Sequence, residues 1–225
     1  MFFTANNLHM DWESLSVDFS CGVDKGKMLV IVGHSGSGKS TILKMMAGLL
    51  PAGKNAQVML GGTDITKVPA GKRHIGMVFQ SPALFSHMKV IDNAAYALAA
   101  AGMSRKERYA KASEWLERFG LVGFEKRWPD SLSGGEAQRV SLVRTLIAEP
   151  ELVLFDEPFS ALDAPLRKKL SEELRGWQKQ LGFAGIVVTH DIEEACSLGD
   201  EIVVMKAGKQ VWSGLPDNFD ESLLV

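Results

Sequence analysis

The chain has 225 residues, of which 46% are hydrophobic and 23% charged. That length and composition suit a folded protein with a sizeable core and argue against intrinsic disorder. Lys and Arg number 25 against 27 Asp and Glu, a net charge of −2, so the chain does not have the composition of a nucleic-acid binder with a broadly basic face.

The opening stretch Met1-Phe2-Phe3-Thr4-Ala5-Asn6-Asn7 has neither basic residues nor a long apolar run, and no signal peptide is expected. Leu15, Val17, Phe19 and Cys21 then alternate with Ser16, Asp18 and Ser20, which predicts a half-buried, antiparallel strand. Residues 28–32 are apolar throughout, as in a strand covered on both faces. A glycine-rich segment follows, and then an apolar-periodic helix over 40–49. Further buried strands are predicted at 75–79, 152–155, 185–189 and 201–205, with a hairpin over 203–212. Strands alternating with helices indicate an α/β fold with a largely parallel sheet.

Between about 84 and 147 the strand signal gives way to helix. Ser104 and Glu107 have capping-box spacing at the start of a helix running to about Phe119, with Gly120 and Gly123 beyond it. The expected organisation is one domain over 1–225, with 1–83 and 148–225 forming an α/β core and 84–147 a helical subdomain inserted into it. No apolar run approaches the roughly 18 residues that cross a bilayer; the nearest, 94–101, is short and Ala-rich. Cys21 and Cys196 lack metal-ligand spacing and read as reduced thiols, so a soluble, cytoplasmic protein is expected.

Three segments carry chemistry. Gly33-His34-Ser35-Gly36-Ser37-Gly38-Lys39-Ser40 matches G-x-x-x-x-G-K-[ST] between a buried strand and a helix. Its glycines let successive N–H groups turn toward phosphate oxygens, and the helix adds the positive end of its dipole. Lys39 would reach the β- and γ-phosphates and the Ser40 hydroxyl would ligate Mg²⁺, while His34, at a variable position, reads as a bystander. Leu152-Val153-Leu154-Phe155-Asp156-Glu157 ends a buried strand in two acids: Asp156 can hold Mg²⁺ directly or through water, and Glu157 can polarise an attacking water. Ser133-Gly134-Gly135-Glu136 has capping-box spacing at a helix start that its glycines leave bare, a second anion site.

Leu132-Ser133-Gly134-Gly135-Glu136-Ala137-Gln138-Arg139 resembles the signature motif of ATP-binding-cassette (ABC) ATPases. Phe79-Gln80 resembles the Q-loop of that family, Ser160-Ala161-Leu162-Asp163 its D-loop, and His190, after Gly185-Ile186-Val187-Val188-Thr189, its switch histidine. The resemblance runs from about Trp12 to Gly214 and implies a P-loop NTPase core with a mostly parallel sheet, an N-terminal antiparallel β region and a helical insertion subdomain. It implies an ATP hydrolase with Glu157, His190 and Gln80 as catalytic residues and Ser40, Gln80 and Asp156 around Mg²⁺. Gly33, Ser35, Gly36, Ser37, Gly38, Lys39, Ser40 and Thr41 would bind the nucleotide. Ser133, Gly134 and Gly135 would reach the γ-phosphate of ATP held by a partner subunit, and Asp163 of the D-loop also belongs to the nucleotide site. Trp12 is the candidate to stack on adenine, with Phe19 as the alternative and a core position as the other reading of Trp12. One departure is Glu136, which stands where the family most often has Gln.

The family further implies a homodimer closing over two ATP, integral membrane permease subunits, an indirect link to a substrate-binding protein, no nucleic acid, and a peripheral location on the inner face of the cell membrane. The segments 79–88 and 156–163 resemble bacterial importer ATPases. Leu84-Phe85-Ser86-His87, the short N-terminal region and the expected lack of a C-terminal regulatory domain look most like the thiamine importer ATPase. Related cassettes serve iron, molybdate, sulfate and polyamines. An exporter subunit and a non-transport ABC ATPase acting on DNA or ribosomes are the alternatives.

Overall fold

The computed structural model describes residues 1–12 and 15–224, the last of these by its backbone alone. Chain order begins with a hairpin, β1 (Phe3–Trp12) and β2 (Leu15–Val23), paired antiparallel from Phe3↔Val23 to Trp12↔Leu15 with an irregularity between Ala5 and Leu8. Val17 and Phe19 face inward on β2 and the residues between them face out, as the alternation predicts. Burial of Phe19 in the core removes it as an adenine-stacking residue. Beyond β1 the short strands β4 (Gln57–Leu60) and β5 (Thr63–Asp64) continue the antiparallel region. Neither these nor β1 is marked by an apolar run.

The other half of the sheet is parallel: β9 (Glu201–Lys206), β3 (Met28–Val32), β8 (Ala184–Thr189), β7 (Leu152–Asp156) and β6 (Ile75–Val78) lie side by side in that order. Every residue of β3, β7 and β8 is buried, because helices cover both faces. The strand β10 (Lys209–Gly214) returns antiparallel to β9 and meets β2 at Lys209↔Asp18, which joins all ten strands into one sheet.

Helix α1 (Lys39–Ala47) follows β3 and stops two residues short of the predicted end, where Gly48 turns left-handed and its N–H takes the carbonyls of Lys44 and Met45. Four helices lie between β6 and β7: α2 (Val90–Ala94), α3 (Tyr96–Ala100), α4 (Arg105–Arg118) and α5 (Gly134–Leu146). Ser104 caps α4, but the Glu107 carboxylate takes the Ser104 hydroxyl at 2.6 Å instead of the cap N–H, so only half of the reciprocal box forms. After β7 come α6 (Ala164–Leu181) and, after β8, α7 (Ile192–Leu198). No helix among the described residues is long and apolar enough to cross a membrane.

Apolar residues alternate across β3, with Leu29 and Ile31 on one face and Met28, Val30 and Val32 on the other, and each face belongs to its own cluster. Helix α1 packs on the first face. On the second, a single cluster runs from β3 and β7 through α6 into α2, α4 and α5. The helical segment therefore shares its core with the sheet. Phe119, fully buried after α4, is stacked between Trp115 at 5.9 Å and Trp177 of α6 at 3.9 Å. Replacing Phe119 by Ala empties that joint, and unfolding in urea is expected to show a loss of about 3–5 kcal/mol.

Candidate nucleotide site

All five parallel strands end at the same edge of the sheet, and the loops leaving four of them carry the residues singled out above: Gly33–Gly38 after β3, Phe79 and Gln80 after β6, Glu157 after β7 and His190 after β8. Ligands in open α/β sheets bind outside the carboxyl ends of the strands.

The β3–α1 loop folds tightly against its neighbours. A Cβ on Gly33 would lie 2.2 Å from the carbonyl oxygen of Met205, so only glycine fits. Gly36 and Gly38 take left-handed angles of +81° and +99°. The Ser37 N–H donates to the His34 carbonyl at 3.2 Å, and the Gly208 N–H of the β9–β10 turn donates to the Ser37 carbonyl at 3.1 Å. Helix α1 opens at Lys39, leaving its first-turn N–H groups without intrahelical partners.

Lys39 is buried, 4% exposed, and its ammonium donates to the carbonyls of Gly33 at 2.7 Å and His34 at 2.9 Å. His34 thus enters the loop through its backbone. Glu157 lies 3.9 Å from the same ammonium. Burial lowers the pKa of Lys39, while Glu157 and Asp156 oppose the shift. The Ser40 hydroxyl donates to Asp156 Oδ1 at 2.6 Å. A hydroxyl and a carboxylate converging in this way form a hard-oxygen donor pair of the kind that would suit Mg²⁺.

Glu157 sits between two partners, with Lys39 on one side and His190 Nδ1 at 3.0 Å on the other. Gln80 approaches by another route: its amide Nε2 donates to Ser160 Oγ at 3.2 Å, and that hydroxyl donates to the Glu157 carbonyl at 3.1 Å. The Ser160 relay has no sequence signal. A cleft of about 490 Å³ is lined by Trp12, Leu15, Ser35, Gly36, Gly38, Lys39, Ser40, Thr41, Gln80 and Glu157. Trp12 is 53% exposed at its rim, so it is not a core residue. A larger groove of about 1090 Å³ runs along β1 and β2, lined by Phe19 and by none of the residues of the cleft.

Ser133, Gly134 and Gly135 are not among the residues lining this cleft. They open α5, where the capping box is complete: Ser133 Oγ accepts from the Glu136 N–H at 3.4 Å and the Glu136 carboxylate from the Ser133 N–H at 2.7 Å. Those bonds hold the Glu136 carboxyl below its ordinary pKa. Asp163 caps α6, accepting from the Leu166 N–H at 2.9 Å. Behind His190, Glu194 of α7 is 4% exposed. Its Oε2 accepts from the Thr189 hydroxyl and its Oε1 has no partner, and burial pushes this carboxyl up to about 7. Sequence reading missed Glu194, because an acid in a helical first turn looks like a solvated one.

Residues 17–160 match the family model for the ABC transporter. Among similar proteins, an Fe(3+) ions import ATP-binding protein FbpC of Rhizobium etli is 44% identical over 205 residues, covering 91% of this chain and 58% of that protein. Another of the same description, from Pasteurella multocida, is 44% identical over 187 residues, with 83% and 53% covered. The chain thus spans a little over half the length of these relatives. Among solved structures, CbiO1 from Clostridium perfringens, described as part of the ABC transporter complex CbiONQ, superposes with a TM-score of 0.85 at 26% identity, covering 96% of this chain and 89% of that one.

The buried Glu194 gives stability a pH dependence. A carboxyl whose folded pKa is raised from 4.5 to about 7 favours folding while protonated, and that contribution drains away as pH rises between these values. Urea unfolding at pH 5 and pH 8 is expected to show the wild type losing up to about 3 kcal/mol relative to Glu194→Gln, which cannot ionise.

Proposed function

Because the chain belongs to the ABC transporter family, we propose that it is the ATP-hydrolysing subunit of an importer, working as a homodimer over two Mg-ATP and driving separate membrane permease subunits. The observation that carries this reading is the convergence in one cleft of the buried Lys39, of Ser40, which Asp156 holds from outside the lining, and of Glu157, which His190 holds in the same way.

The β3–α1 loop and the first turn of α1 hold the phosphates, with Lys39 supplying the positive charge and Trp12 the face on which adenine stacks. Ser40 and Asp156 hold Mg²⁺, with Gln80 beside them; the ion supplies charge neutralisation to the transferring phosphoryl group. Glu157 orients an attacking water and takes its proton, and His190 fixes the carboxylate and contacts the γ-phosphate. Ser133, Gly134 and Gly135 open a bare helix N-terminus that serves ATP bound to the partner, with Asp163 at the same junction. A head-to-tail pair with two-fold symmetry makes the two composite sites equivalent.

The surface around Gln80 and the helical segment 84–147 docks the permease, because a loop joining the γ-phosphate site to those helices reports nucleotide state by rotation. Such a subunit sits on the inner face of the cell membrane. For cargo, ferric iron replaces thiamine as the leading candidate, since the relatives described above are named for Fe(3+) import. A binding protein would deliver it to the permease.

Two measurements test this. Glu157→Gln keeps shape and hydrogen bonding but removes the base, so ATP turnover should fall roughly 10²–10⁴-fold. Nucleotide binding should persist and an ATP-bound dimer accumulate, whereas Lys39→Ala should weaken binding itself. Near-wild-type turnover in Glu157→Gln refutes the base assignment. Separately, crosslinkers placed at 84–88 should capture the copurifying permease, and capture from the β9–β10 hairpin alone would move the docking surface there.

A further inference from the structure

Arg144 lies in the last turn of α5, the helix that Ser133 opens, and its guanidinium reaches out of that helix to the loop after β6. Its two terminal nitrogens donate to successive backbone carbonyls, Pro82 at 2.9 Å and Ala83 at 2.8 Å, while its carbon lies 5.2 Å from the centre of the Phe85 ring. Ala83 has φ +45°, a left-handed angle that a residue with a Cβ keeps only when its surroundings impose it. The rest of the loop is pinned by the buried Asn93 of α2, whose side chain accepts from the Phe85 N–H and donates to the Phe85 and Met88 carbonyls. A two-pronged donor on one helix thus fixes the backbone just past Gln80. Gln80 in turn is tied through Ser160 to the carbonyl of Glu157, which is itself left-handed at φ +46°.

We propose that Arg144 is a positioning residue for hydrolysis. It makes α5 and the Gln80 loop move as one body, so that a displacement of α5 is transmitted through Gln80 and Ser160 to the backbone of Glu157. The inference rests on the reading of the cleft as an ATPase site. It deepens that reading, because α5 is 13 residues long, or about 20 Å. One end carries the residues proposed to meet the partner's ATP, and the other grips the loop that serves the subunit's own. The fork geometry is the essential part: a lysine ammonium is a point donor on a flexible stem and lacks the rigid planar fork that fixes two successive carbonyls relative to each other.

The test compares wild type, Arg144→Ala, Arg144→Lys, Gln80→Ala and the Arg144→Ala/Gln80→Ala double variant in the full chain. Urea midpoint, Mg-ATP affinity and kcat are measured for each. We expect both Arg144 variants to bind Mg-ATP within about twofold of wild type and to lose about tenfold or more in kcat, with lysine giving no rescue. The double variant should turn over no more slowly than Gln80→Ala alone, since Arg144 acts through Gln80. If Arg144→Ala does not fold, Arg144→Lys carries the comparison, alone and combined with Gln80→Ala. Turnover within twofold of wild type, full rescue by lysine, or losses that multiply in the double variant would each overturn the proposal while leaving the functional reading standing. A wild-type chain that binds Mg-ATP but never hydrolyses it would overturn both.

Discussion

An ammonium group almost withdrawn from solvent has to be surrounded by acceptors, and in this chain Lys39 is surrounded by the backbone of its own loop. The carbonyls of Gly33 and His34 can both reach it only if the chain doubles back over five residues, which is why the loop needs left-handed turns at Gly36 and Gly38. The same doubling presses Gly33 onto Met205 and brings the β9–β10 turn against Ser37. The pairing of β3 with β9 puts those neighbours in place, so the loop is braced from the β9 side. The charge that organises the loop is also the charge that an incoming anion would meet.

The two acids at the end of β7 differ in surroundings more than in position. Asp156 is still in the strand, 7% exposed, and its carboxylate is paired with the Ser40 hydroxyl. Glu157 has left the strand with φ +46°, immediately before Pro158, and its N–H is tied back to the Val188 carbonyl at 3.0 Å. That strained turn points its carboxylate between Lys39 and His190 instead of along the sheet. Adjacent residues thereby acquire different surroundings, Asp156 beside a hydroxyl, a hard-oxygen donor, and Glu157 beside a histidine.

The parts legible in the sequence are those where one local rule decides the outcome. The unbroken apolar run at 28–32 fits a strand covered on both faces, and the spacing of Ser133 and Glu136 fits a helix start. The G-x-x-x-x-G-K-[ST] loop carries its own geometry. β1 was not legible because its inward residues Phe3, Ala5 and Leu8 fall out of alternation where the ladder is irregular, with Asn7 left-handed at φ +54°. β4 and β5 are too short to show a period. The sequence favours Trp12 over Phe19 for a nucleotide but leaves Phe19 open, until the hairpin puts Trp12 at the rim and Phe19 in the core. The bridges through Ser160 and Arg144 are long-range, and neither residue type announces the loop it holds. Glu194 bonds only five residues away, to Thr189, but nothing local tells a buried acid in a helical first turn from a solvated one.

Glu136 shows how a departure from the common pattern can be absorbed. An amide at this position could accept the same bond from the Ser133 N–H, so the cap does not require a charge. The carboxylate gains from the positive end of α5, typically by about 0.3–1 kcal/mol at a surface site. By the same token it offsets some of the positive potential that an anion approaching Ser133, Gly134 and Gly135 would feel. Arg127, 3.9 Å from the other carboxylate oxygen, returns a positive charge to the same corner. Both side chains are substantially solvent-exposed, so the exchange is screened by salt and small in energy. The N–H groups that would hold a phosphate belong to the backbone of the two glycines, which the substitution leaves where it finds them.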